Sequence, residues 1–246
     1  MIHSTAVVEP GAQLGAGVQV MAGAVITRWA RLGDGVIVHP GAVVGGDPQY
    51  LKFDPTTESF VDVGAGTVIR EHVTLNRSIH SGGATVIGQR CFLMAGCHAG
   101  HDCSVADDVV IANHVLLAGH VTVGAFSFVG GGAAVHQFCR IGEGAMVGGL
   151  SRITRDVPSY TMVAERDELI GLNLVGIKRR GWPRETVREL KELYRDLCQP
   201  VGNPRELATA RLPGVQSPQG RAFLEFFLGG KRGFCRPRAG AVEGVE

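Results

Sequence analysis

Aliphatic residues recur along the chain with a period of six, at Ile2, Val8, Leu14, Val20, Ile26, Leu32, Val38 and Val44. The series resumes one residue out of phase at Val63, Ile69 and Leu75 and lapses at Ser81. It then runs unbroken through Ile87, Leu93, Ala99, Val105, Ile111, Leu117, Val123, Val129, Val135, Ile141, Val147 and Ile153. Such a period fits neither an amphipathic helix nor an alternating strand, but it is that of a hexapeptide-repeat parallel β-helix. Each hexad is a short strand and a corner, and three hexads make a triangular coil of about 18 residues. Coils stack at the inter-strand spacing of roughly 4.8 Å with the aliphatic residue inward. Gly and small residues suit the tight corners.

Two interruptions break the phase. Residues 45–60, from Gly45 through Asp47-Pro48-Gln49-Tyr50-Leu51-Lys52-Phe53 to Phe60, are expected to form a loop thrown out of the prism, and Ile79–Ala84 a smaller one. Excursions from so regular a scaffold are where binding groups are mounted. The repeat is expected to fill residues 1–158 and end near Asp156-Val157-Pro158. A helical domain is expected over 159–230. Its helices are Glu168 to Arg180, then Pro183 to Leu197 closed by Pro200, and two more opened by Asn203-Pro204 and Ser217-Pro218 as N-cap and first-turn pairs. The last should end at Gly229-Gly230, leaving 231–246 as a frayed tail.

Composition agrees with a globular protein: 246 residues, 45% hydrophobic, 36 Gly and a formal charge of +1. So balanced a charge argues against nucleic acid as a partner. The start, Met1 to Thr5, has no charged segment leading into an apolar one, which predicts a cytoplasmic chain without a signal peptide. Val109 to Cys139 lacks Asp, Glu, Lys and Arg, yet its Asn113, His114, His120, His136, Gln137 and Gly130-Gly131-Gly132 argue against membrane insertion. Cys91, Cys97 and Cys103 occupy the same place in successive hexads, hence three sides of the triangle, and cannot meet at one ion. With Cys139 they read as small inward side chains.

All nine histidines precede residue 137. With a coil of about 18 residues, His120 should lie over Asp102 beside His101, and His80 under His98. Two chemistries suit such a line of imidazoles: a zinc site of the kind found in hexapeptide carbonic anhydrases, or general base catalysis by His101 with Asp102 holding its tautomer. Adjacent strand residues point to opposite sides, so that pair needs a bend, which Gly100 would permit.

Further motifs sharpen the choice. From Ile2 to about Cys198 the chain resembles the UDP-N-acetylglucosamine O-acyltransferases that begin lipid A synthesis. The resemblance rests on Pro48-Gln49-Tyr50-Leu51-Lys52-Phe53, His98-Ala99-Gly100-His101-Asp102-Cys103, Leu117-Ala118-Gly119-His120-Val121, Ala134-Val135-His136-Gln137-Phe138-Cys139, Met146-Val147-Gly148-Gly149 and Gly176-Ile177-Lys178-Arg179-Arg180-Gly181. It implies a left-handed β-helix, a homotrimer with sites between subunits, and no metal or other cofactor. Acyl carrier protein would be the donor and a UDP-sugar the acceptor.

By this resemblance His101 is the general base, Asp102 orients it and the Gly119 N–H stabilises the oxyanion. His98, His120 and Gln137 line the sugar and diphosphate, and Lys52 meets a phosphate. Asn173, Arg179 and Arg180 handle the nucleotide, and Gly149 floors the acyl groove. Three stretches depart from the family pattern: Tyr50 stands for an Asp, Val175 for a Glu, and Ala164–Leu169 is shorter and more charged. They leave a 3-amino sugar, another nucleotide sugar or a non-catalytic binding role as alternatives. The related N-acyltransferases normally carry a preceding uridine-binding domain, for which hexads starting at Ile2 leave no room.

Overall fold

The computed structural model describes residues 1–198 and 202–237. The hexads form a three-faced prism of parallel strands. The first face stacks eight strands from Val7–Val8 to Arg152–Ile153, the second seven from Gln13–Leu14 to Arg140–Ile141, and the third nine from Gln19–Val20 to Glu168–Leu172. The chain visits the faces in that order and climbs one coil per circuit, pairing Val7 with Val25 and Gln13 with Arg31. Its turn is left-handed, as the resemblance implies.

The periodic residues point inward. Val20, Ile26, Val38, Val44, Ile69, Ile111, Leu117, Val129 and Ile153 are all buried, and each such side chain contributes about 1.5–3 kcal/mol. Cys91, Cys97, Cys103 and Cys139 share this interior as free thiols. Burial pushes Cys97, Cys103 and Cys139 up to about 12, which keeps them protonated and inert.

The corners differ from the expectation. A left-handed residue recurs every sixth position from Arg90 to Leu150, and most of these positions are not glycine: Asp102, His120, Phe126 and Phe138 all have φ near +60°. The bend between His101 and Asp102 is therefore made by Asp102 itself (φ 61°) rather than by Gly100. Gly100 meets a different demand, close stacking of coils, since a Cβ there would lie 3.0 Å from the Gly119 nitrogen.

Both excursions leave the edge between the first and second faces. The longer spans residues 47–59, between Val43–Gly46 and Phe60–Val63, and the shorter residues 77–83, between Thr74–Asn76 and Ala84–Ile87. The shorter one lengthens its coil, so Thr74 pairs with His98 at a separation of 24. His80 is consequently not under His98, as a uniform coil would place it; Thr74 is.

The prism outlasts residue 158. Thr161–Ala164 extends the third face and Glu168–Leu172 returns antiparallel to it. The helix expected over Glu168–Arg180 is thus a strand followed by α1, Leu174–Arg179. Alternation explains the difference: Leu169 and Gly171 are buried while Ile170 is exposed, a period of two. Helix α2, Arg184–Cys198, buries Leu190, Tyr194 and Leu197 as its spacing predicts. The Pro200 stop lies outside the described residues. Asn203 and Ser217 cap α3, Pro204–Arg211, and α4, Pro218–Leu228, by accepting from the N–H groups of Arg205 and Gly220.

The segment after Gly230 is no frayed tail as far as residue 237. Phe234 and Cys235 are buried, and bridges join Phe234 to Asp156 and Arg236 to Glu168. Asp156, wholly buried, binds Arg140 (Nε–Oδ2 2.8 Å), whose guanidinium also donates to the Phe226 carbonyl at 2.9 Å. This pair fastens α4 to the last coils. No described helix is long and apolar enough to cross a membrane.

Candidate active site

The edge between the first and second faces collects the chemistry. His101 and Asp102 turn the corner between His98–Ala99 and Ser104–Val105; Gly119 and His120 do so one coil on, and Gln137 and Phe138 one further. His101 Nδ1 lies 2.8 Å from Asp102 Oδ2, with the two side chains 17% and 12% exposed. A carboxylate only accepts, so this contact places the proton on Nδ1 and leaves the Nε2 lone pair free.

Asp102 is held from three sides. Ser78 Oγ donates to Oδ1, the Ile79 N–H reaches Oδ2 at 3.3 Å, and Asp102's own N–H donates to Thr85 Oγ1 at 2.8 Å. Burial opposes its charge, yet the hydrogen bonds from Ser78 and His101 outweigh it and hold the carboxyl below its ordinary range. His120 stands over it (Nε2–Oδ2 3.9 Å), edge-on to His101 at 5.1 Å between ring centroids, and stacks on Phe138 at 4.5 Å and 9°. Burial lowers the pKa of both His98 and His120, which keeps them neutral near pH 7. His98 shares a 2.7 Å hydrogen bond with Thr74 Oγ1.

Gly119 completes the geometry. A Cβ on it would meet His101 Cε1 at 2.6 Å and Nε2 at 2.7 Å, so only glycine admits the imidazole there. Among the described residues nothing accepts a hydrogen bond from the Gly119 N–H. A free imidazole nitrogen beside an unengaged backbone donor is the pairing that acyl transfer needs: a base for the attacking group and a donor for the oxyanion.

The other expected residues divide among the edges. Lys52 and Tyr50 ride the 47–59 excursion on this same edge, Lys52 exposed and the Tyr50 ring 6.3 Å from His101. Gln137 is exposed, and its carbonyl accepts from Arg232 Nε at 3.0 Å. Asn173 and Arg180 sit instead on the edge between the second and third faces. Asn173 caps α1 and donates to the Gly144 carbonyl at 3.0 Å; Arg180 binds Glu143 at 3.0 Å and lies over Phe126 and Trp182. Arg179 is exposed beside them. Gly149 turns the third edge, before the 86% exposed Leu150. A single chain therefore brings His101, Asp102, Gly119, His98, His120, Gln137 and Lys52 together but not Asn173, Arg179, Arg180 or Gly149.

Sequence reading missed Ser78 and Phe138. Ser78 had one signal, its place beside the phase lapse at Ser81; Phe138 had its position one coil after His120. For a metal, the converging group among the described residues is His80, Asp102 and His120, with ligand atoms within 4.8 Å of one another, rather than histidines alone. Its carboxylate is already engaged by Ser78, Ile79 and His101.

Comparison with known proteins agrees with this geometry. Residues 11–46 and 84–119 match the bacterial transferase hexapeptide model, and residues 156–235 match the second domain of Udp N-acetylglucosamine O-acyltransferase. The solved UDP-N-acetylglucosamine acyltransferase from Campylobacter jejuni superposes with a TM-score of 0.84 at 34% identity, covering 97% of this chain and 100% of that one. Its counterpart from Bacteroides fragilis gives 0.88 at 30%, covering 96% and 100%. An acyl carrier protein-dependent UDP-N-acetylglucosamine O-acyltransferase from Agrobacterium fabrum is 35% identical over 97% of this chain and 96% of its own. One from Rhizobium johnstonii is 38% identical over 85% and 84%.

Fold and site together define a hexapeptide-repeat acyltransferase. Within that class, the chain belongs to the UDP-N-acetylglucosamine O-acyltransferase family. These relatives do not favour the carbonic anhydrase reading.

Proposed function

We propose that the protein transfers a 3-hydroxyacyl chain from acyl carrier protein to the 3-position of UDP-N-acetylglucosamine, or of its 3-amino analogue, as the first step of lipid A synthesis in the cytoplasm. The observation that carries this reading is the His101–Asp102 pair facing the unengaged Gly119 N–H. His101 Nε2 takes the proton from the 3-hydroxyl as its oxygen attacks the thioester carbonyl, and Asp102 stabilises the imidazolium. The Gly119 N–H donates to the oxyanion. Collapse breaks the carbon–sulfur bond, and His101 returns its proton to the departing thiolate. No cofactor enters these steps.

His98, His120, Gln137 and Lys52 receive the sugar and diphosphate on the same edge. Asn173, Arg179 and Arg180, assigned to the nucleotide, and Gly149, assigned to the acyl groove, occupy the other two edges of one chain. Their separation supports a homotrimer in which each site draws on two subunits. Tyr50, where the family pattern has an acid, lies near His101 and makes the acceptor's identity the open variable.

The test is mass spectrometry of products after incubating the protein, and His101→Ala beside it, with 3-hydroxyacyl carrier protein and either acceptor. An acylated nucleotide sugar that disappears in the variant is the expected result. No product with either acceptor would overturn the reading.

A further inference from the structure

Arg77, on the catalytic edge, is 1% exposed, and the proposed chemistry does not use it. Its guanidinium donates to Asp47 Oδ1 at 2.9 Å, to the Pro55 carbonyl at 2.9 Å, to the Thr57 carbonyl, and to Ser59 Oγ at 3.3 Å. Its two faces are covered by Trp29 at 4.5 Å and Phe53 at 4.7 Å. Apart from Trp29, these partners lie at the start, middle and end of the 47–59 excursion. A planar fork of five donors can hold all of them at once, which a lysine ammonium cannot.

Apart from Arg77, the loop is tied to the rest of the chain at its end, where the Glu58 carbonyl accepts from the Gly82 N–H at 2.8 Å and Ser59 Oγ donates to the Ser78 carbonyl. Leu51 is fully exposed and Tyr50 is 45% exposed, so the tip buries no core. Its remaining internal hydrogen bonds are local, between Asp54 and Thr56, Tyr50 and Phe53, and Asp54 and Thr57. The next residue after Arg77 faces the other way. Ser78 is wholly buried, accepts from Ser59 Oγ at 2.5 Å through its carbonyl, and donates through its hydroxyl to Asp102.

We infer that Arg77-Ser78 is a two-sided brace: Arg77 positions the loop that presents Tyr50 and Lys52 to the acceptor, and Ser78 positions the Asp102 carboxylate behind His101. Neither touches substrate; both are positioning residues. The inference rests on the proposed acyl transfer for its kinetic readouts, and two of its readouts need no turnover.

Arg77→Lys is expected to raise KM for the nucleotide sugar about tenfold with kcat nearly kept, and Ser78→Ala to lower kcat about tenfold with KM nearly kept. Limited proteolysis of the substrate-free protein should cut within 47–59 in Arg77→Lys but not in Ser78→Ala. The carbon-13 carboxyl titration of Asp102 should move upward in Ser78→Ala only, because that variant loses a hydrogen bond to the charged form. Phe53→Leu, which removes one aromatic cover and keeps the guanidinium, should shift proteolysis and KM in the same direction by less, and it serves if Arg77→Lys does not fold. A loop as protected in both loop variants as in the native protein, or an unmoved Asp102 titration, would overturn the brace. Absence of acyl transfer by the native protein, with both physical readouts as expected, would overturn the proposed function alone.

Discussion

Two edges of one prism use their polar side chains differently. On the edge between the second and third faces, Asn173 has both side-chain functions engaged, one on Gly176 and one on Gly144, and Arg180 is committed to Glu143 and to the rings of Phe126 and Trp182. On the edge between the first and second faces, hydrogen bonds converge on one carboxylate while His101 Nε2 and the Gly119 N–H have no partner among the described residues. The former edge ties its side chains to the protein yet leaves the buried Arg180 Nη2 without a partner among those residues; the latter leaves a supported base with an open nitrogen, as general base catalysis requires. Substitutions should separate the two edges cleanly.

The largest effect is expected from His101→Ala, which should lower transfer by about 10² to 10⁴ with assembly unchanged, the usual share of a general base. Steady-state rates beside sedimentation of the variant check this. Gly119→Ala should follow at about 10² to 10³, because its methyl would occupy the imidazole's position and displace the donor. A crystal structure showing a rotated His101 would give the cause.

Arg180→Ala should act on the fold and on the nucleotide rather than on the base, lowering stability by about 1–2 kcal/mol through the lost aromatic and ion contacts and raising KM for the nucleotide sugar while the dyad remains intact. Thermal unfolding reads the first effect and steady-state kinetics the second. If this variant abolished kcat at unchanged stability, the contrast between the edges would be lost.

The smallest effect concerns pH. His98 and His120 have lowered pKa values in the fold, so the unfolded chain binds their protons more tightly. Their neutral burial is fully compatible with the fold above about pH 6.5, and stability should decline as pH falls from there toward their folded values. Asp102, also lowered, contributes stability above about pH 3.9 that is lost as pH falls further through its folded value. Denaturation at pH 7.5 and pH 5.5, comparing the native protein with His120→Gln, should show a smaller decline in the variant.

The prism was legible because its period is long, strict and unlike any other element's, so the inward column, the two excursions and the stacking of His120 over Asp102 followed from counting. Counting failed where the coil length changed. Six extra residues at 77–83 moved Thr74 beneath His98 and brought Ser78 to Asp102, a contact between residues 24 apart that no fixed coil predicts. Past residue 158 the signal weakens for a different reason: Glu168–Leu172 is short enough that its alternation, with Gly171 as an inward position, is masked by the helical pattern that follows. Phe234 and Cys235 sit in a basic, glycine-containing stretch whose composition hides their burial against the last coils. The site's residues were readable as types, but their division among three edges was not, because it depends on which corner each phase shift lands on.

That division makes the most direct test a complementation. In the proposed homotrimer, His101→Ala and Arg179→Ala chains assembled together should regain acyl transfer well above either variant alone, since some sites would then combine an intact His101 with an intact Arg179 from a neighbouring chain. Mixed trimers no more active than their parents would contradict the account, placing the whole site within one chain against the positions of its edges.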